Sequence, residues 1–89
     1  MLIKKMAVAG TLESSDALVT IQPSDTLRVH IESTVMESFG AEIRERVEGT
    51  LRELGVSAAA VSVRDRGALD CVLSARVETA ALRGSQGEA

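Results

Sequence analysis

Aromatic residues are nearly absent from this sequence, which contains Phe39 but neither tryptophan nor tyrosine. The hydrophobic core must therefore be built from aliphatic side chains, and nucleobases have almost no aromatic surface on which to stack. The formal net charge is −3, and acidic and basic residues are interspersed along the chain. Because binding to a phosphate backbone needs a concentrated positive face, we expect no nucleic acid among the partners.

Cysteine and histidine are equally scarce, with one of each, Cys71 and His30. A single cysteine excludes an internal disulfide, and the two residues do not make a set of metal ligands. The segment MLIKKMAVAG has too short an apolar stretch for a secretory signal, and no apolar run is long enough to span a bilayer. We therefore expect a cytoplasmic protein without a metal site or membrane contact. A chain of 89 residues also argues for one domain that lacks the deep cavity of a complete enzyme.

Two short strand patterns near the N-terminus are joined by the sequence GTLESSD. The first runs from Ala7 to about Leu12, and the second, residues 17–22, alternates between two faces. Serine and aspartate side chains bond nearby backbone groups in turns, so the pattern predicts a β-hairpin with GTLESSD at its tip. A third strand is predicted after the single proline, with its inward residues at Leu27, Val29 and Ile31.

A long amphipathic helix is predicted from Thr34, which forms a potential capping box with Glu37. Its apolar stripe consists of Val35, Phe39, Ile43, Val47, Leu51 and Leu54. Gly55 is placed to end the helix in a left-handed cap. A fourth strand then carries Ala59, Val61 and Val63 on one face. The strand, helix, strand order implies a right-handed crossover connection.

The segment from Leu69 to Val77 fits two periods, because its apolar residues recur at helical spacing and also alternate as in a strand. Its length and its content of Ala, Leu, Glu and Arg favour a helix. Residues 84–89 lack an apolar anchor, which predicts a disordered tail after a single domain of residues 1–83. The predicted fold is therefore α+β with two layers, in which both helices pack on one face of the sheet. The pattern leaves the strand order open.

The Ser-Ser-Asp sequence at the hairpin tip is the first candidate site, although turn chemistry alone explains these residue types. A nucleophilic serine needs a base and an oxyanion hole, and His30 is predicted on the outward face of a strand. Glu13 and Asp16 are predicted to be solvated carboxylates of the turn. The sequence therefore contains no convincing catalytic residue.

Two further segments carry reactive or charged groups. Cys71 lies within an apolar segment and is predicted to pack as a small buried hydrophobe. Residues 64–67, of sequence RDRG, are predicted to form a polar turn whose charges could meet a partner protein or an anionic group. Neither segment forms an active site by itself.

Three stretches of the chain together resemble one family: AVAGTLESSD near the N-terminus, MESFG at the start of the long helix and DRGALDCVLSARVE before the tail. In order and spacing they resemble the acyl carrier protein, or gamma subunit, of citrate lyase over nearly the whole chain. The resemblance implies that Ser14 carries 2'-(5''-phosphoribosyl)-3'-dephospho-coenzyme A through a phosphodiester. The thiol of that arm would hold acetyl and citryl thioesters while citrate is cleaved to oxaloacetate and acetate.

The resemblance also implies a non-catalytic subunit. Its partners would be the citrate lyase alpha subunit, which is an acyl transferase, the beta subunit, which is a citryl lyase, and a prosthetic-group transferase. Ser15 is chemically as able as Ser14 to receive the arm, and position in the family is the reason to prefer Ser14.

Two alternatives stay open beside this resemblance. The first is the related carrier subunit of malonate decarboxylase, against which the stretches GTLESSD and GALDC favour citrate lyase. The second, from another class, is an interaction or regulatory module without modification. A carrier of the fatty-acid type is disfavoured, because such carriers are helical bundles whose modified serine opens a helix, whereas Ser14 follows a strand pattern.

Overall fold

A computed structural model describes residues 1–33 and 36–87, with the backbone alone at residues 36–39. Six elements follow one another along the chain: β1 (Ala7–Ala9), β2 (Ala17–Gln22), β3 (Leu27–Ser33), α1 (Met36–Glu53), β4 (Ala59–Asp65) and α2 (Asp70–Ser85). The predicted α+β order is thereby confirmed. The segment that fitted two periods is helical from Asp70 onward.

The four strands form one mixed sheet in the order β1-β2-β4-β3. β1 and β2 pair antiparallel as the predicted hairpin, and β2 pairs antiparallel with β4. β3 and β4 run parallel, as expected for two strands connected through a helix. The last strand in sequence therefore lies inside the sheet, between β2 and β3.

One face of this sheet is covered by both helices, which also contact each other. α2 lies against β1 and β2, whereas α1 lies against β3. The buried apolar residues of the strands follow the two-residue alternation that the sequence predicts, and they are Ala7, Ala9, Ala17, Val19, Ile21, Ile31, Ala59, Val61 and Val63. The helices contribute Ile43, Val47, Leu51, Leu73, Val77, Ala80 and Ala81. The core is therefore aliphatic among the described side chains, and it lies on one side of the sheet.

The end of α1 matches its prediction. Gly55 has a φ of +75°, its N–H donates to the carbonyl of Arg52 over 3.0 Å, and the N–H of Val56 donates to the carbonyl of Leu51 over 2.9 Å. These two bonds form a Schellman motif. The capping box predicted at Thr34 and the first two stripe positions, Val35 and Phe39, lie outside the residues whose side chains the structure describes.

Three predicted boundaries or orientations are wrong. β1 ends at Ala9 rather than near Leu12, because the chain leaves the ladder at Gly10. Leu27 is 40 % exposed, since it begins an edge strand beside an open depression at the end of α1. The tail predicted from Gly84 begins inside α2, where Gly84 is buried and its carbonyl accepts bonds from the N–H groups of Lys4 and Lys5.

Candidate functional site

The β1–β2 connection ends in a tight turn with two exposed serines at its apex. The N–H of Asp16 donates to the carbonyl of Glu13 over 3.1 Å, which closes a four-residue β-turn. Ser14 occupies the first central position, and Ser15 occupies the second with a φ of +65°. This is the backbone pattern of a type II turn, in which the second central position favours glycine. Both serine side chains are exposed, and that of Ser14 makes no hydrogen bond to any described residue.

Two backbone hydrogen bonds hold this turn against the end of β4. The N–H of Ser15 donates to the carbonyl of Arg66 over 2.8 Å, and the N–H of Arg66 donates to the carbonyl of Asp16 over 2.9 Å. They extend the β2–β4 ladder, in which Ala17 pairs with Asp65. The serines therefore project from a continuation of the sheet rather than from a free loop.

The Asp16 side chain is the centre of the hydrogen-bond network below the turn. Its carboxylate accepts bonds from Nε and Nη2 of Arg76 at 2.9 and 3.1 Å. It also accepts bonds from the hydroxyl of Thr11 and the N–H of Ala17, both at 2.7 Å. The bonds from Arg76, then from Thr11 and Ala17, hold the pKa of Asp16 well below its usual range. The carboxylate in turn raises the pKa of Arg76.

Asp16 is therefore not the solvated turn carboxylate that the sequence predicts. Its side chain is only 14 % exposed, and its charge is paired with the guanidinium of Arg76. Because the guanidinium compensates its charge, Asp16 contributes little repulsion toward an anion at the turn. Glu13 remains exposed.

Gly10 is required where the chain turns from β1 into this loop. Its φ is +90°, a conformation that side chains other than glycine rarely adopt. A Cβ atom at this position would collide with the carbonyl oxygen of Ala17 and would lie 3.1 Å from Cδ of Arg76. The close approach of two backbone segments therefore positions the loop so that Asp16 meets Arg76.

The segment after β4 is organised by a buried carboxylate. Asp65 is 2 % exposed and accepts bonds from the hydroxyl of Ser33 at 2.8 Å and from the N–H groups of Gly67 and Ala68 at 3.1 and 3.0 Å. The sequence predicts a polar turn at residues 64–67, but Arg64 and Asp65 lie in β4 and the charge of Asp65 is buried. The bonds fix the turn that carries Arg66 beside the serines.

The other two candidate residues, His30 and Cys71, do not belong to this site. His30 is exposed as predicted and pairs with Ser62 in the β3–β4 ladder. Ser62 lies four residues before Arg66, which corresponds to about 13 Å along a strand. His30 is therefore not a base for Ser14. Cys71 is exposed in the first turn of α2 and does not pack in the core as the sequence predicts.

Gly10, Arg66 and Arg76 are the residues of this site that periodicity does not reveal. Gly10 begins the sequence GTLESSD, and Arg66 and Arg76 both lie within the stretch DRGALDCVLSARVE, but no local pattern connects the two stretches. Among the described residues, no group of three or more His, Cys, Asp and Glu side chains is arranged to hold a metal. No described helix has the length and hydropathy needed to cross a membrane.

The geometry suits attachment of a bulky group better than catalysis. The hydroxyl of Ser14 is exposed at the apex of a turn whose backbone and Asp16 side chain are fixed by hydrogen bonds. A large substituent on this oxygen would extend into solvent without displacing a core residue. No imidazole lies within reach of it in the described part of the chain, which leaves the hydroxyl without an evident activating base.

Comparison with known proteins agrees with this geometry. A family model described as "ACP: Malonate decarboxylase delta subunit (MdcD)" matches residues 4–84. A citrate lyase acyl carrier protein of Haemophilus influenzae strain PittEE is 55 % identical over 85 residues, which cover 96 % of this chain and 90 % of that protein. The protein of the same description from Streptococcus mutans is 52 % identical over 88 residues, which cover 97 % of this chain and 86 % of that protein.

A solved structure shares the fold. It is a Pseudomonas malonate decarboxylase hetero-tetramer in complex with malonate, one chain of which superposes with a TM-score of 0.63 at 21 % identity, covering 91 % of this chain and 84 % of that chain. At this identity the similarity shows the fold alone. The identities to the two carrier proteins are more than twice as high and span nearly the whole sequence, so this chain belongs to the family of citrate lyase acyl carrier proteins.

Proposed function

We propose that this chain is the acyl carrier subunit of citrate lyase and that Ser14 is its attachment residue. The observation that carries the proposal is the exposed hydroxyl of Ser14 at the apex of a turn held to β4 and α2, in a chain that belongs to this family. The arm, 2'-(5''-phosphoribosyl)-3'-dephospho-coenzyme A, supplies a thiol that carries acyl groups while partner subunits cleave citrate to oxaloacetate and acetate. The chain itself contributes no acid or base to that reaction.

Attachment requires a defined exchange of bonds at Ser14. The hydroxyl oxygen forms a new bond to the phosphorus of a phosphoanhydride precursor, the P–O–P bond of the precursor breaks, and a phosphate-containing leaving group departs. The hydroxyl proton passes to a base of the prosthetic-group transferase, because no described side chain of this chain is hydrogen-bonded to the Ser14 hydroxyl and no described imidazole lies beside it. The exposure of the turn gives that enzyme access to the oxygen.

Ser14 is preferred over Ser15 for a conformational reason as well as by family position. The N–H of Ser15 is bonded to the carbonyl of Arg66, and its φ is one that glycine adopts more easily. The contribution of Ser15 to the turn therefore comes from its backbone, and glycine could replace it. Ser14 has no such constraint.

The fixed turn also suits a carrier that visits two active sites. A rigid base on a flexible arm gives the thiol a high effective concentration at sites within reach. The partners in this proposal are the alpha subunit as acyl transferase and the beta subunit as citryl lyase. A cytoplasmic location is part of the same proposal, because the cytoplasm keeps thiols reduced and the arm acts through a free thiol.

The malonate decarboxylase carrier is the second candidate, and the description of the matching family model and the shared fold favour it. Reconstitution separates the two. The modified chain is mixed with citrate lyase alpha and beta subunits or with the corresponding malonate decarboxylase subunits, and cleavage of citrate or decarboxylation of malonate is measured. We expect turnover with citrate; turnover with malonate alone would favour the second candidate.

Attachment is tested by intact-protein mass and peptide mapping across GTLESSD, on chain made together with the prosthetic-group transferase. We expect the added mass of the arm on Ser14, lost in Ser14→Ala and retained in the matched variant Ser15→Ala. If the wild-type chain stays unmodified although the same transferase modifies a known carrier, the proposal is overturned. The interaction module without modification is then favoured. If the added mass is lost in Ser15→Ala and retained in Ser14→Ala, the attachment residue is Ser15 and the choice of Ser14 is overturned.

A further inference from the structure

We infer that Arg66 binds the phosphodiester that would join the arm to Ser14, and so orients the arm where it leaves the protein. This inference rests on the proposed function. It concerns a residue at the junction of β4 and α2, far in sequence from the serine that it would serve.

The backbone places Arg66 directly beside the turn. Arg66 forms both hydrogen bonds that hold the turn to the sheet, accepting from Ser15 and donating to Asp16. Ser14 precedes Ser15 by a single residue, a Cα–Cα step of about 3.8 Å. Arg66 and Ser14 are thus neighbours across the ladder, and the long side chain of an arginine at this position can approach a phosphate on the oxygen of Ser14.

The neighbouring arginines are less suited to this role. Arg76 forms its ion pair with Asp16. Arg64 pairs with Leu18 in the ladder, four residues after Ser14, and its Nε lies 3.9 Å from a carboxylate oxygen of Glu32, beyond hydrogen-bond distance. The hydrogen bond found for the Arg66 side chain runs from Nη1 to the carbonyl of Asp65 over 3.3 Å. Most donors of the Arg66 guanidinium are therefore available to an additional ligand.

The charge balance around the turn also points to Arg66. Asp16 is compensated by Arg76, and Asp65 is buried and accepts bonds from Ser33, Gly67 and Ala68. The carboxylate of Glu13 is exposed in the turn and would repel an anion there. Arginine binds a phosphate with two parallel N–H bonds, which fixes direction as well as distance. A single anionic phosphodiester at Ser14 therefore has a matching cation in Arg66.

The test uses the modified full-length chain in three forms: wild type, Arg66→Gln and Arg66→Lys. Arg44→Gln is the matched control, because Arg44 is a half-exposed arginine on α1 that pairs with Glu48. Intact mass first establishes that wild type carries the arm on Ser14; if it does not, the proposed function fails and this inference falls with it. Thermal unfolding then confirms that each variant is folded.

The deciding measurement is the ³¹P NMR signal of the phosphodiester at Ser14. We expect this signal in Arg66→Gln to move from the wild-type shift toward that of the unfolded modified chain, with a partial move in Arg66→Lys and none in Arg44→Gln. We also expect kcat/KM for attachment to fall about tenfold in Arg66→Gln, the lower end for a hydrogen bond to a charged group. An unchanged ³¹P signal in Arg66→Gln overturns the inference, even if attachment slows, because Arg66 would then contact the transferase rather than the phosphate.

Discussion

The carboxylate of Asp16 and the guanidinium of Arg76 form a two-bond ion pair between the hairpin turn and α2, across 60 positions of sequence. Geometry of this kind fixes orientation, because two parallel N–H bonds align both groups. The pair ties the turn that carries Ser14 to the helix packed on the sheet. The position of the candidate attachment site therefore depends on a contact between two remote segments.

This ion pair predicts a specific dependence of stability on pH. The pKa of Asp16 is lower in the folded state than in the unfolded chain, where an aspartate has its ordinary pKa of about 3.9. Its contribution to stability is therefore complete well above pH 4 and decreases as the pH falls toward the folded-state pKa. We expect Asp16→Asn to unfold at a lower temperature than wild type at pH 7, and the gap to narrow between about pH 5 and pH 2.

Glu13→Gln is the control for this experiment, because Glu13 is an exposed carboxylate of the same turn. At pH 7 its melting temperature should match that of wild type, because the Glu13 side chain is exposed. If the difference in unfolding temperature between Asp16→Asn and wild type does not change with pH, the role assigned to the ion pair is contradicted.

Gly10 provides a prediction about close packing at the base of the loop. Gly10 and Gly67 both have positive φ values, of +90° and +86°, but no heavy atom lies within 4 Å of a Cβ built on Gly67. Gly67→Ala should therefore show only the backbone penalty of about 1 kcal/mol. Gly10→Ala adds the collision with Ala17, and we expect a total destabilisation of about 3 kcal/mol or more by urea denaturation. Equal losses in the two variants would show that the loop relaxes away from the collision.

Ser15 is expected to tolerate glycine. The variant Ser15→Gly removes a side chain from a residue with positive φ, and the greater freedom of glycine in the unfolded chain offsets part of that gain. We expect a change in the free energy of unfolding between zero and about 1 kcal/mol of stabilisation, with attachment to Ser14 unchanged by mass. Ser14→Gly, the matched change one residue earlier, should abolish attachment. Loss of attachment in Ser15→Gly would show that Ser15 takes part directly.

The C-terminal boundary can be tested by truncation. The carbonyl of Gly84 accepts the N–H groups of Lys4 and Lys5 at 2.8 and 3.1 Å, which joins the N-terminal segment to the end of α2. A chain ending at Ser85 keeps this contact, so we expect its stability to match that of the full chain. A chain ending at Arg83 loses both bonds, and we expect a loss of about 1–3 kcal/mol. Equal stability of the two truncated chains would show that the hydrogen bonds to Gly84 contribute nothing to stability.

The two-residue alternation in β2 and β4, the apolar stripe of α1 and the cap at Gly55 could all be predicted from sequence, because each depends on residues close together along the chain. The family could also be predicted, because its motifs are contiguous. These local signals identified the elements and most of their inward faces, although not that of Leu27. The choice of Ser14 as the candidate attachment residue came from its position in the family.

The tertiary structure alone decided which elements became neighbours. It placed β4 between β2 and β3, brought Arg66 and Arg76 to the turn, buried Asp65 and Gly84, and left Cys71 exposed. None of these follows from a local pattern, since a side chain's burial and charge partner depend on segments that are remote in sequence. Periodicity shows which face of a strand or helix is apolar. Only the packing of strands and helices determines which segment covers that face and which residues lie at its edge.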